Sequence, residues 1–150
     1  MSRHDLFCEI IDDLLKTDAV QQMDNYAQHR GTSRLQHSLN VAYYSFCVAQ
    51  ALNLDYRSAA RGALMHDLYF HQWRNTGQNG WQHAISHPKL ALKNAENITN
   101  INKIEKDIII KHMWPMTLIP PRYAESHIVS LADKFSTILE VLKRKPVFTV

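Results

Sequence analysis

Apolar residues recur three or four positions apart along most of the chain, which is the spacing of one buried face of an α-helix. The period-two alternation of half-buried strands is absent, and glycine is scarce, at four residues. The pattern therefore predicts an all-α fold, a bundle of about six or seven helices. They are expected over residues 4–16, 18–28, 33–52, 55–68, 88–98, 101–113 and 123–142.

Two stretches interrupt the helical pattern. Residues 69–86 are rich in Gly, Asn, Gln and aromatic residues, and they predict a long loop of the kind that often carries function. Pro88 is expected to open the next helix in the favoured first position. Residues 114–122 form a Pro-rich link before the last helix.

Composition fits one ordinary globular domain. The chain has 150 residues, of which 45% are hydrophobic and 21% charged, so it can bury a sizeable core. It contains no repeats and no low-complexity tract. Residues 1–150 are accordingly predicted to form a single domain.

Charge and cysteine usage narrow the class of partner. The net charge is +3, and no basic block suggests nucleic-acid binding, whereas a small anionic molecule would suit this balance. Acidic residues interrupt the apolar N-terminal stretch, and no apolar run could span a bilayer, so a cytoplasmic protein without membrane contact is expected. Cys8 and Cys47 show no metal-type spacing and are read as reduced thiols.

Histidine is unusually frequent in this composition. The chain has nine histidines, and several of them lie inside predicted apolar helices. His37 shares a helical stripe with Val41, Tyr44 and Val48, which points its imidazole inward. A hydrogen-bonded core histidine is the plainer interpretation of this residue alone.

Further inward-facing groups accompany His37. His66 and Asp67 close an apolar helix, His112 follows Ile108 by one turn, and Asp133 has apolar neighbours. A buried carboxylate without a partner is costly, and no internal Lys or Arg is evident. Metal ions between these groups would satisfy them, as in metal sites of helix bundles.

One position is ambiguous between two histidines. His83 and His87 are spaced like a helical metal-binding pair, but Pro88 makes a helix through both positions doubtful. His87 is therefore preferred over His83, as a residue at a helix start.

The order of these residues resembles the HD superfamily over residues 30–140. RLQHSLNVA is similar to its first motif with Arg34 and His37, and LMHDLYF to the defining pair, His66 and Asp67. HPKLAL with His87, IIIKHM with His112 and IVSLADKFSTI with Asp133 resemble the remaining motifs. The resemblance implies a first metal held by His37, His66, Asp67 and Asp133, and a second by His87, His112 and a bridging Asp67.

The implied activity is that of a metal-dependent phosphohydrolase acting on a nucleotide or another small phosphorylated molecule. Two divalent ions are expected, iron or manganese, with zinc, cobalt or nickel able to substitute. Asp67 and Arg34 are the predicted catalytic residues. Lys134 and Arg74 are further candidates for phosphate contacts, although a solvated surface role is as plausible for each.

Two other functions share the same ligand set. A minority of the superfamily are mixed-valent di-iron oxygenases of small polyols or phosphonates, and a regulatory module with a structural metal is a third hypothesis. The chain also lacks the lysine that many of the hydrolases carry three residues after the HD pair. Tyr69, Phe70 and His71 occupy this part of the sequence instead. The GYP motif of cyclic-dinucleotide phosphodiesterases is absent.

Overall fold

A computed structural model describes residues 1–149. Over these residues the chain forms seven α-helices and one short hairpin, which confirms the all-α prediction. The elements are α1 (Arg3–Leu15), α2 (Asp18–Gln22), β1 (Ala27–His29), β2 (Thr32–Ser33), α3 (Arg34–Ala51), α4 (Tyr56–Met65), α5 (Gly80–Ile98), α6 (Lys103–Lys111) and α7 (Ala124–Val141).

Helix α5 begins earlier than the sequence predicts. The Asn79 side chain accepts a hydrogen bond from the backbone N–H of Gln82, whose side chain accepts one from the N–H of Asn79. This capping box starts the helix at Gly80, and Pro88 lies in its interior. The predictions that Pro88 opens the helix and that the loop extends to residue 86 are therefore wrong. A single proline removes one backbone donor, and the capped helix tolerates that loss.

The predicted second helix is also too long. It ends at Gln22, and a 3-10 turn leads into the antiparallel pair β1 and β2. Gly31 adopts φ +88° between the strands, a conformation that favours glycine. Strands of two and three residues are too short to show an alternation in sequence. The hairpin matters because it places Gln28 and His29 beside the histidines of the bundle.

Helix α4 lies at the centre of the bundle, packed against α1, α3, α6 and α7. Small residues allow this close approach: a Cβ on Gly62 would lie 2.8 Å from Cδ1 of Ile108. Ala63 is fully buried on the same helix. The tight packing brings the C-terminal ends of α4 and α6 next to α3 and α7.

Helices α3 and α7 run in opposite directions along each other. His37 near the start of α3 meets Glu140 near the end of α7, and Tyr44 meets Phe135 one to two turns further. The stripe that begins at His37 is buried only in part, since Val41 is fully buried and Val48 is 44% exposed.

Candidate metal centre

His37 is oriented by a carboxylate that sequence analysis missed. Its Nδ1 lies 2.9 Å from Oε2 of Glu140, and Glu140 also accepts a hydrogen bond from Nδ2 of Asn40 at 3.1 Å. The Nε2 atom of the same ring is 2.9 Å from Oδ1 of Asp133. A histidine whose Nδ1–H donates to a carboxylate presents the Nε2 lone pair, which is a common arrangement in metal sites. The signal in sequence is one acid within the apolar run ILEVL.

His66 and His112 are placed in the same way on different helices. Each is the C-terminal cap of its helix, α4 or α6. His66 Nδ1 lies 2.6 Å from the carbonyl oxygen of Ala63, and His112 Nδ1 lies 2.9 Å from that of Ile109. Carbonyls of the last turn lack helical partners, so each imidazole satisfies one of them. Both Nε2 atoms then point away from their helices, into the bundle.

His87 completes the set from α5. Its Nδ1 lies 2.8 Å from the carbonyl oxygen of His83, and its Nε2 is 2.9 Å from Nε2 of His112. His83 stacks on the outer side of this ring at a centroid distance of 4.4 Å, and its Nε2 lies 3.3 Å from the Tyr69 hydroxyl. Since the helix runs through both positions, His83 and His87 share a face, and His87 is the one that faces His112.

The two aspartates lie between these imidazoles. Oδ2 of Asp67 is 3.4 Å from Nε2 of His66, whereas Oδ1 is 3.2 Å from Nε2 of His87 and 3.5 Å from Nε2 of His112. Oδ1 of Asp133 is 3.6 Å from Nε2 of His66. The structure thus brings together all six residues that the sequence suggests: His37, His66, Asp67, His87, His112 and Asp133.

Electrostatics in the cluster show how strongly these groups interact. Burial alone would raise the pKa of Asp67, but the charge of His66 and the closeness of the His66, His87 and His112 imidazoles hold that pKa well below its usual range. Asp133 is lowered in pKa for the same reason, by His37 and His66. Burial opposes a charge on His37, yet hydrogen bonds to Asp133 and Glu140 raise its pKa to about 9. Without an ion, protons on the imidazoles therefore balance the buried carboxylates.

Divalent ions fit this cluster better than protons do. Nε2 of His66 is buried without a hydrogen-bond partner. His87 and His112 both use Nδ1 toward a backbone carbonyl, so their facing Nε2 atoms would set two lone pairs against each other unless one ring is fully protonated. A cation accepts both lone pairs. Imidazole and carboxylate donors without a thiolate suit iron, manganese or zinc.

Three compact groups of donor atoms can be distinguished among the described residues. Within each group, the ligand atoms all lie within 4.8 Å of one another. One group comprises His37, His66 and Asp133, a second His66, Asp67 and His112, and a third His29, His37 and Glu140. His87 approaches the second group, since its Nε2 lies 2.9 Å from Nε2 of His112 and 3.2 Å from Oδ1 of Asp67.

Arg34 reaches the cluster through an intermediary. Its Nε donates to Oε1 of Gln28 at 3.0 Å, and Nε2 of Gln28 donates to Oδ2 of Asp67 at 2.7 Å. The other guanidinium nitrogens donate to the carbonyl oxygens of Tyr69 and His71. The guanidinium is buried and lies 3.7 Å above the centre of the Tyr69 ring. This geometry favours a positioning role for Arg34 rather than the predicted phosphate contact. Gln28, on the unpredicted hairpin, was missed by sequence reasoning.

A cavity of about 930 Å³ opens directly above the cluster. Asp67, Asp133 and two of the histidines form its floor, and Trp73 and Ile138 form part of its walls. Cationic side chains also line it: Arg30, Arg34, Arg74 and Lys134. Arg30 and Arg74 are exposed, whereas Nζ of Lys134 donates to the carbonyl oxygens of His112 and Ser130.

The family model for the HD domain matches residues 34–138, most of the chain. The chain belongs to the HD-domain family. Proteins of this family bind divalent metals and are of a metal-dependent hydrolase type, which agrees with the histidine and aspartate groups found here. Comparisons with curated proteins and with solved structures gave no match. Among the described residues, no helix is long and apolar enough to cross a bilayer.

Proposed function

We propose that this HD-domain protein hydrolyses a phosphate ester through a centre of two divalent ions. The observation that carries the proposal is the convergence of four Nε2 atoms on two buried carboxylates, with every Nδ1 bonded elsewhere. A cluster of unshared lone pairs at the floor of an open cavity is suited to ions that retain a position for substrate.

The ligands divide between two ions in this proposal. His37, His66, Asp67 and Asp133 would hold the first, and His87, His112 and Asp67 the second. The two oxygens of Asp67 face different histidines, which supports a bridging role for this carboxylate. Bound ions would supply Lewis acidity there: they would polarise a phosphoryl group and lower the pKa of a bound water molecule.

Residues around the ligands would fix this arrangement. Glu140 holds the His37 ring with Nε2 inward, and Gln28 with Arg34 holds the Asp67 carboxylate. Such outer contacts commonly change metal affinity or activity about 10- to 100-fold when removed. We assign Arg34 to this positioning task, and Asp67 remains the proposed catalytic carboxylate.

The substrate would be a small phosphorylated molecule, a nucleotide or a compound of similar size. The cavity volume accommodates one, and its exposed cations Arg30 and Arg74 are free to contact phosphate oxygens. Lys134 is committed to backbone carbonyls and contributes positive charge from a distance.

The test combines metal content with turnover. Protein purified without added metal should contain about two divalent ions per chain by elemental analysis, and it should release phosphate from a panel of nucleotides and a general phosphodiester. Chelation should abolish release, and added manganese or iron should restore it.

Three other outcomes would each overturn the proposal. Two irons with oxygen consumption and no phosphate release would indicate an oxygenase. Bound metal whose removal unfolds the protein, again without turnover, would indicate a structural metal in a regulatory module. No metal under any loading condition would refute the centre itself.

A further inference from the structure

The outer sides of α3 and α7 form one exposed apolar surface, here called the outer face. It consists of Val48, Leu52, Leu131, Phe135, Ile138 and Leu142. Leu131 is 67% exposed, Ile138 58% and Leu142 62%. The two helices are joined across this face by Tyr44, whose ring packs edge-on against Phe135 at a centroid distance of 5.3 Å.

The outer face carries no Asp, Glu, Lys or Arg. Within the described ranges of the two helices, the exposed positions are Val48, Ala51, Ala124, His127, Leu131, Phe135, Ile138 and Val141. Helix α1 differs, because charged side chains such as Asp5, Glu9 and Asp12 occupy its exposed side. A surface helix normally turns its charged side to water, and a contiguous apolar patch of this kind marks an interaction surface.

Spacing along α7 specifies what could cover the face. Leu131, Phe135, Ile138 and Leu142 follow one another at intervals of four, three and four residues. This is the repeat with which helices pack against helices at a shallow crossing angle. From it we infer that the outer face is the interface of a homodimer, in which α3 and α7 of two copies form a four-helix arrangement around a two-fold axis.

The available area supports a second copy as the occupant. Apolar side chains of the loop before α7 extend the same side of the molecule, since Trp114 is tied to α7 through Ser130 and His127. Met116, Leu118 and Ile119 in this loop are all exposed. Together with the outer face they would bury roughly 600 Å² of apolar surface per copy. With a polar rim, this approaches the about 800 Å² per partner of a stable interface.

The charge distribution also favours a second copy over a membrane surface. A membrane-bound helix face is usually flanked by basic residues along its length. Here the basic cluster of Lys143, Arg144 and Lys145 lies at one end, Arg122 precedes the other, and Lys134 between them is bound to backbone carbonyls. A two-fold axis across antiparallel α7 helices would set the two basic ends far apart. The uncharged centre would create no repulsion between identical copies.

This dimer does not depend on the proposed function, but it would touch the same cavity. Ile138 of the outer face also lines the cavity, and so does Met116 of the loop before α7. A second copy would therefore stand beside the cavity mouth and narrow the access to the metal centre.

Sedimentation velocity over a dilution series tests the inference directly. The unmodified protein should sediment as a dimer of the 17.4 kDa chain and dissociate on dilution. Leu131→Glu should raise the dimer dissociation constant by at least roughly 100-fold, because each dimer would bury two carboxylates in an apolar interface. Leu142→Glu should act in the same direction. Both side chains are exposed in the single chain, so far-UV circular dichroism should show unchanged helix content.

A matched substitution controls for added negative charge. Leu90→Glu changes an exposed leucine on α5, outside the outer face, and should leave the dimer intact. A monomer at all accessible concentrations would overturn the inference, as would a dimer that Leu131→Glu and Leu142→Glu leave unaffected. Co-sedimentation of monomeric protein with vesicles of anionic phospholipid, lost in Leu131→Glu, would overturn it in favour of a membrane surface.

Discussion

The inner and outer sides of α3 and α7 differ in a way opposite to an ordinary surface helix. Toward the bundle they present His37, Asp133 and Glu140, all within one hydrogen-bonded cluster. Toward solvent they present apolar side chains such as Val48 and Leu131. The same helices also bury apolar side chains, such as Leu39, Phe46 and Val129, so the polar cluster is one part of an otherwise apolar inner side. The difference agrees with the two contacts proposed above, with divalent ions on the inner side and with a second copy of the chain on the outer side.

Substitution of Asp67 should have the largest effect on the inner side. Asp67→Ala removes the carboxylate that faces three imidazoles, so metal content should fall and phosphate release should decrease by at least roughly 1,000-fold. Elemental analysis and turnover on the same preparation provide the readout. Asp107→Asn is the control, because Asp107 is a buried carboxylate that pairs with Lys111 away from the cluster. Full metal content in Asp67→Ala would refute the ligand assignment.

Removal of a positioning contact should have a smaller effect. Glu140→Gln keeps the shape of the side chain but weakens the acceptor of the His37 Nδ1–H, so metal affinity should fall about 10- to 100-fold while the fold is retained. Competition with a calibrated chelator measures the change. Glu125→Gln alters a buried glutamate at the other end of α7, which accepts from the Asp55 backbone. Equal losses in the two variants would argue against a specific role for Glu140.

The metal-free protein should lose stability as pH rises. Burial opposes the charge on His37, but Asp133 and Glu140 raise its pKa to about 9, so its contribution is fully present below pH 6.5 and disappears as pH increases toward 9. Urea unfolding at pH 6, 7.5 and 9 measures this trend. With metal bound the trend should reverse, because ions compete with protons for Nε2. His37→Gln should flatten the metal-free profile, and an unchanged profile in that variant would assign the trend to other groups.

Val41 and Val48 lie on the same helical stripe, one buried and one exposed, so they allow a direct comparison of the two sides. The expected effects are the smallest of this series. Val41→Thr buries a hydroxyl in the core and should reduce the free energy of unfolding by about 1 to 3 kcal/mol. Val48→Thr makes the same change at an exposed position and should cost less than about 0.5 kcal/mol at dilutions where the chain is monomeric. Similar losses at both positions would show that Val48 is buried in the isolated chain.

The sequence predicts which candidate ligands come together better than it predicts the residues that support them. The inward positions of His37 and His112 follow from helical periodicity, and the acids Asp67 and Asp133 stand in apolar sequence surroundings that offer them no local cationic partner. Gln28 and Glu140 carry no such signal, because their roles depend on contacts across many residues of sequence.

The errors in the fold have local causes. Pro88 suggests a helix start, but the capping box at Asn79 and Gln82 determines where α5 begins. The hairpin around Gly31 is too short to produce a strand pattern. Val48 continues the stripe of Val41, and only the tertiary arrangement reveals that the stripe leaves the core.

The hydrogen bonds at Nδ1 also bear on the order in which a site of this kind is assembled. His66, His87 and His112 each bond to a carbonyl three or four residues earlier in their own segment. Because these bonds are local, the formation of each helix end would suffice to orient the three imidazoles without a bound ion. A metal ion would then enter, through the cavity, a site whose histidines are already oriented, and it would not have to induce that orientation. Which element occupies the site would follow from what the cell supplies and how quickly it exchanges.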